Sequence, residues 1–139
     1  MKALIHLSIC LGVVLLTGCG PKPEASDAGA STKTPAELVK AGLEETDELK
    51  FCLSEEAGMT SIKQSSERLS KIVEALPESV AASTLALGKK DQLTVLIGSL
   101  KTADENLTSS VESQASVSEL SKANAKVRKE LISISKITL

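Results

Sequence analysis

Over most of its length this chain spaces its apolar residues three and four apart, the interval that lines one side of an α-helix. Leu38, Val39, Leu43, Leu49, Phe51 and Leu53 form the first such set. Thr34-Pro35-Ala36-Glu37 opens it. Thr34 suits the N-cap, Pro35 the first helical position, and Glu37 the third, from which a carboxylate reaches back to the cap. Gly42 interrupts the pattern and Gly58 marks its stop. Ile62, Leu69, Ile72, Val73 and Leu76 form a second set, opened by Ser61-Ile62-Lys63-Gln64 and ended by Pro77.

The next stretch allows two readings. Thr84-Leu85-Ala86-Leu87 and Leu93-Thr94-Val95-Leu96-Ile97, joined by Gly88-Lys89-Lys90-Asp91, have the form of a β-hairpin. The neighbouring patterns are helical and an isolated hairpin is marginal in water, so helix-turn-helix is expected. From Asp91 to Ile137 there is no proline and a single glycine, Gly98. Leu93, Leu96, Leu100, Ala103 and Leu107 follow one seam, and Val117, Leu120, Val127, Leu131 and Ile134 follow another in a shifted register. The serine-rich residues 108–116 between them leave open one long helix with a phase shift or two helices. Ser116-Val117-Ser118-Glu119, itself a capping sequence, favours a break. The expected fold is all-α: a small helical bundle or long helical hairpin over residues 35–139, packed antiparallel at about 20°.

The residues ahead of this domain have a different character. Residues 20–34 carry no apolar period and are rich in Pro, Ala, Ser, Gly and Thr, a linker with a reach of about 20 Å. Before them, Lys2 precedes an apolar run from Ala3 to Leu16, shorter than the roughly 20 residues needed to span a bilayer. That run ends in Leu16-Thr17-Gly18-Cys19, which resembles the lipobox of bacterial lipoprotein signal peptides. The resemblance implies cleavage between Gly18 and Cys19, with lipid on the Cys19 sulfur and on its new amino terminus. Each buried methylene contributes about 0.8 kcal/mol, so the several chains of such an anchor hold permanently. Gly20 stands where aspartate would retain an enteric-type lipoprotein in the inner membrane, which implies the periplasmic face of the outer membrane. The expected division is a signal peptide (1–18), a lipidated cysteine with flexible linker (19–34), and a helical domain (35–139). The Braun-type lipoprotein is likewise lipidated, helical and poor in aromatics. Ile137-Thr138-Leu139 lacks the terminal lysine that links that family to peptidoglycan, so no covalent wall attachment is expected.

Composition narrows the function further. There is one His, at position 6, one Phe, and no Trp or Tyr. Removal of the leader leaves no imidazole for a nucleophile pair or general base, and no His/Cys zinc set. Ser-Lys pairs such as Ser66 with Lys63 or Ser118 with Lys122 are of a kind that arises by chance. No enzymatic activity and no cofactor are expected. Without aromatic platforms, and with a net charge of −2, no nucleic-acid partner is expected. Cys52, in the apolar stretch Leu49–Leu53, reads first as a small buried hydrophobe and second as half of an intermolecular disulfide.

Charge is unevenly spread. Residues 36–78 carry 10 acidic and 5 basic side chains, and residues 79–139 carry 6 and 8. Glu44-Glu45-Thr46-Asp47-Glu48 reads as a solvated helix face before a divalent-cation site, because no loop supplies carbonyl ligands. Lys122, Lys126, Arg128 and Lys129 make the last helix basic. They are expected to pair with the acidic first helix or simply to keep the domain soluble, ahead of meeting anionic headgroups or cell-wall carboxylates. The sequence thus points to a lipid-anchored envelope protein acting by contact, with a protein partner or self-association. A periplasmic binder of a small ligand or cation is the alternative.

Overall fold

A computed structural model describes residues 33–55 and 58–138; Gly18, Cys19 and the other residues of 1–32, on which the expected signal peptide and most of the linker fall, lie outside the described residues. Four helices account for nearly all of this span: α1 (Pro35–Ser54), α2 (Met59–Ala82), α3 (Leu87–Glu112) and α4 (Val117–Thr138). Each link between them is four residues long, which forces sequential helices to run antiparallel. α1 lies beside α2 and α4, and α3 completes the ring between α2 and α4, so the fold is an up-down-up-down four-helix bundle. Among the described residues there is no strand, and no helix is long and apolar enough to cross a membrane. The chain from Ser31 onward forms a compact unit by itself.

Two helices start as their sequences predict. The Thr34 hydroxyl accepts from Glu37 N–H at 3.3 Å while the Glu37 carboxylate accepts from Thr34 N–H at 2.8 Å. Ser116 and Glu119 repeat this box at the start of α4, with the Ser116 N–H 3.0 Å from Glu119 Oε2. These bonds hold both carboxyls below their ordinary range: the Thr34 backbone contributes most at Glu37, and the Ser116 hydroxyl contributes most at Glu119.

Other boundaries depart from the sequence reading. α1 stops at Ser54, short of Gly58, and α2 begins at Met59 with Gly58 as its N-cap, ahead of the expected Ser61 box. α2 also runs through Pro77 to Ala82. A helix-interior proline costs about 3 kcal/mol. Contacts made by the turn beyond the proline offset that cost: Val80 is buried, and the Ser79 hydroxyl donates to Lys33 O at 2.6 Å. The β-hairpin alternative is overturned, since α3 begins at Leu87. Lys89 and Lys90 cap neighbouring helix ends instead of forming a hairpin turn. Lys90 Nζ donates to Ala81 O at 2.8 Å and Lys89 Nζ to Ile137 O at 3.4 Å, where carbonyls of α2 and α4 lack helical partners.

The stretch from residue 91 to 137 is two helices. Gln114 adopts a left-handed conformation (φ 53°). Its N–H bonds Val111 O at 3.1 Å while Ala115 N–H bonds Ser110 O at 2.9 Å, which closes α3 in a Schellman motif. Glycine is the residue this position favours, because it has no Cβ to clash in that conformation. Gln114→Gly is therefore expected to stabilise the bundle by about 1 kcal/mol. Urea unfolding checks this, and an unchanged midpoint would show that the turn carries no strain.

Each helix buries a seam of strict three-and-four spacing. In α1 it runs Val39, Gly42, Thr46, Leu49, Leu53, and in α2 Ile62, Ser66, Leu69, Val73, Leu76, Val80. In α3 it runs Leu93, Ile97, Leu100, Asp104, Leu107, Val111, and in α4 Leu120, Asn124, Val127, Leu131, Ile134. The α4 seam matches the sequence reading, apart from Val117, which is exposed. In α3 the expected Leu96 and Ala103 are only half-buried, and Ile97 and Asp104 take the interior positions. Both registers share Leu93, Leu100 and Leu107, so a small rotation of the helix exchanges one for the other. Phe51, expected on the apolar side of α1, is 59 % exposed.

Candidate functional site

The cations singled out in the sequence all lie on α4, which carries five basic side chains and two acidic ones. Lys122, Lys126 and Lys129 are exposed and recur at intervals of four and three. Ser133 and Lys136 continue the same stripe. The stripe lies opposite the buried seam of α4, because its positions fall about half a helical turn from Leu120, Val127 and Leu131. Ser133 turns its hydroxyl back onto Lys129 O at 3.1 Å. Lys136 was not among the residues singled out, although the three-and-four interval from Lys129 reaches it by way of Ser133.

Arg128 is set apart from these lysines. It leaves α4 on the side facing α1, where Nη1 bonds Asp47 Oδ1 at 2.6 Å and Thr46 Oγ1 at 3.1 Å. The expected pairing of acidic α1 with basic α4 is thus confined to one bridge among the described residues. Both partners are substantially exposed, so the bridge contributes about 0–1 kcal/mol and serves chiefly to orient the two helices. Below it, Asn124 Nδ2 donates to Thr46 O at 2.8 Å inside the core. Asn124 and Arg128 line a shallow groove of about 280 Å³ between α1 and α4, with Lys50 and Ser121 at its rim.

The acidic run of α1 is divided between two neighbours. Glu45 accepts from Arg68 Nε of α2 at 2.9 Å, while Asp47 faces α4. Glu44 and Glu48 remain exposed. Among the described residues no three His, Cys, Asp or Glu side chains gather as a metal site would require. Cys52 is a free thiol and buried, packed with Leu49 and Leu53 in the core. A disulfide to another chain therefore needs local opening of α1. Ser66 is buried while Lys63 is exposed, and Ser118 and Lys122 both face outward.

Among the buried polar side chains that the sequence reading does not place inside, which include Thr46 of the acidic run, two keep an unsatisfied oxygen. Asp104 and Asn124 sit in seams otherwise filled by aliphatics, and Oδ1 of each has no hydrogen-bond partner among the described residues. Burial pushes the Asp104 carboxyl above its ordinary range; the Ser70 hydroxyl opposes this, and Glu74 and Glu105 add to it.

No protein-family model, curated protein or solved structure that was compared matches this chain.

Proposed function

We propose that this protein is a lipid-anchored, non-catalytic lipoprotein at the periplasmic face of a bacterial outer membrane. It acts by protein contact, as a structural or assembly accessory. Anchoring rests on Leu16-Thr17-Gly18-Cys19. The reading of contact rests on one structural observation. Phe51, Met59 and Val117 are exposed apolar side chains that share the bundle end formed by links 55–58 and 113–116. Thr34, where the linker enters, is at the opposite end, where Leu87 is also exposed. A chain held at Cys19 and reaching through residues 20–34 presents that apolar end to neighbouring proteins. The alternative of a cation or small-ligand binder finds less support, because Glu45 and Asp47 are drawn to different helices.

Mass spectrometry of the membrane-extracted protein is expected to find an amino-terminal peptide that begins at lipidated Cys19. Fatty-acid labelling should disappear in Cys19→Ala. An unmodified amino terminus elsewhere would overturn the anchor. A photo-reactive residue at position 51 is expected to capture an envelope protein or a second copy in cells, while one at exposed position 71 captures neither. Equal capture from both sites, or none from either, would defeat the contact reading.

A further inference from the structure

We infer that the outer face of α4 is a seat for an anionic phospholipid surface. Lys122, Lys126, Lys129 and Lys136 are all exposed and occupy one stripe about 21 Å long, at 1.5 Å of rise per residue. None of the four lies within 4.0 Å of a carboxylate among the described residues, where the ion pairs are Arg68–Glu45 and Arg128–Asp47. The acids of α4 nearest the stripe border it on one side: the Glu119 carboxylate is tied into the Ser116 cap and feels the Lys122 charge, and Glu130 is half-buried. Four like charges in a row, none in an ion pair within 4.0 Å among the described residues, form a local cationic field in a chain whose net charge is −2.

The chemistry of the face selects the occupant. Lysines are compact point charges on flexible stems, which suit phosphate headgroups that move laterally and need no fixed geometry. Protein interfaces are depleted in lysine at their centres and depend on aromatic or arginine anchors. This stripe contains neither, since Arg128 is engaged by Asp47 at its side. Nucleic acid is disfavoured by the same lack of aromatic and guanidinium groups. Ile132, 40 % exposed and flanked by Lys129 and Lys136, supplies a single apolar contact of the kind that dips into a headgroup region. The proposal draws on the anchor reading only for proximity. A linker reach of about 20 Å lets the bundle lie on its α4 side, which leaves its apolar end free to meet a neighbour in the membrane plane.

The test uses residues 31–139, the compact unit, which lacks Cys19 and so is independent of acylation. Sedimentation with vesicles of phosphatidylglycerol and phosphatidylcholine is compared with phosphatidylcholine alone. Each lysine at an anionic surface contributes about fivefold in affinity, so Lys→Gln at 122, 126, 129 and 136 together is expected to weaken binding several hundredfold at low salt. A matched variant, Lys→Gln at 40, 63, 71 and 101, removes the same charge from the other helices and is expected to lose less than tenfold. Binding by the wild type should vanish in 1 M salt, where the screening length is about 3 Å. Circular dichroism and melting establish that both variants fold. The proposal is overturned by equal losses in the two variants, by equal binding to neutral vesicles, or by no binding to the phosphatidylglycerol vesicles. The Cys19 peptide result stands whichever of these occurs.

Discussion

Replacing Leu131 by alanine is expected to lower the stability of the bundle by about 3–5 kcal/mol, the upper part of the range for a buried leucine. Leu131 is fully buried, and its methyl groups fill the space beside Gly42 of α1. A Cβ placed on Gly42 would lie 3.1 and 3.2 Å from the two Leu131 methyls and 3.6 Å from Ile72 Cγ2. Leu131 thus occupies volume that a side chain on α1 would otherwise take. When it is truncated, glycine offers nothing to move into the void, and the neighbouring packed seams hold the backbones apart. The cavity persists, and its cost adds to the lost transfer energy. The converse change, Gly42→Val, overpacks the same space and is expected to cost about 1–3 kcal/mol alone. Combined with Leu131→Ala it should cost less, or become favourable, with a coupling of about 1 kcal/mol or more. Urea unfolding of the two single variants and the double variant measures this. Strict additivity would show that positions 42 and 131 do not share a cavity.

Asp104→Leu is expected to stabilise the bundle by about 1–3 kcal/mol, the cost of a buried polar group without a partner. The corresponding rise in melting temperature is on the order of 5–15 °C for a domain near 100 residues. Asp104 is 7 % exposed, and Oδ1 has no partner. Glu74 and Glu105 further disfavour its charge, and only the Ser70 hydroxyl favours it. The sign of the pH dependence comes from a carboxyl pKa that is raised on folding. Below the unfolded value, about 4, both states hold the proton and the penalty is absent. As pH rises through the folded value, the buried group must ionise or retain its proton at a cost, and stability falls. Wild type is therefore expected to lose stability as pH rises above about 4, and Asp104→Leu and Asp104→Asn should remove that loss. Glu37 and Glu119 are shifted the other way, so their contribution is lost only as pH falls below the ordinary glutamate range. The two effects have opposite signs, so the Asp104 contribution is read from the difference between wild type and Asp104→Asn. Identical pH profiles above about pH 4 for wild type and Asp104→Asn would remove Asp104 from this role.

Much of the architecture was legible because its signals are local. The Thr34-Glu37 and Ser116-Glu119 boxes involve residues three apart, and no distant contact is needed to form them. The α4 seam is unambiguous because its alternatives, Lys122, Lys126 and Lys129, are charged. In α3 both candidate registers carry apolar residues, and the aspartate argues for the wrong one. The basic face was legible in part: its lysines were visible, but which of them α1 would engage depended on where Arg128 projects. Pro77 read as a stop because the cost of a proline is local, whereas the contacts of Val80 and Ser79 that outweigh it are not.

The sequence by itself determined that this chain would be helical, where two of its helices begin, and that residues 35–139 carry no histidine and a single aromatic residue. Those properties depend on residue identity and on spacings of a few residues. Only the tertiary structure decided which side of α3 faces inward, that Asp104 and Asn124 are buried, that Gly42 is the socket for Leu131, and that Arg128 and not the lysines of α4 meets α1. Each of these depends on which helices pack side by side. In a bundle with several similar apolar stripes, that choice is made by the summed fit of all four seams, which no single stretch of sequence encodes.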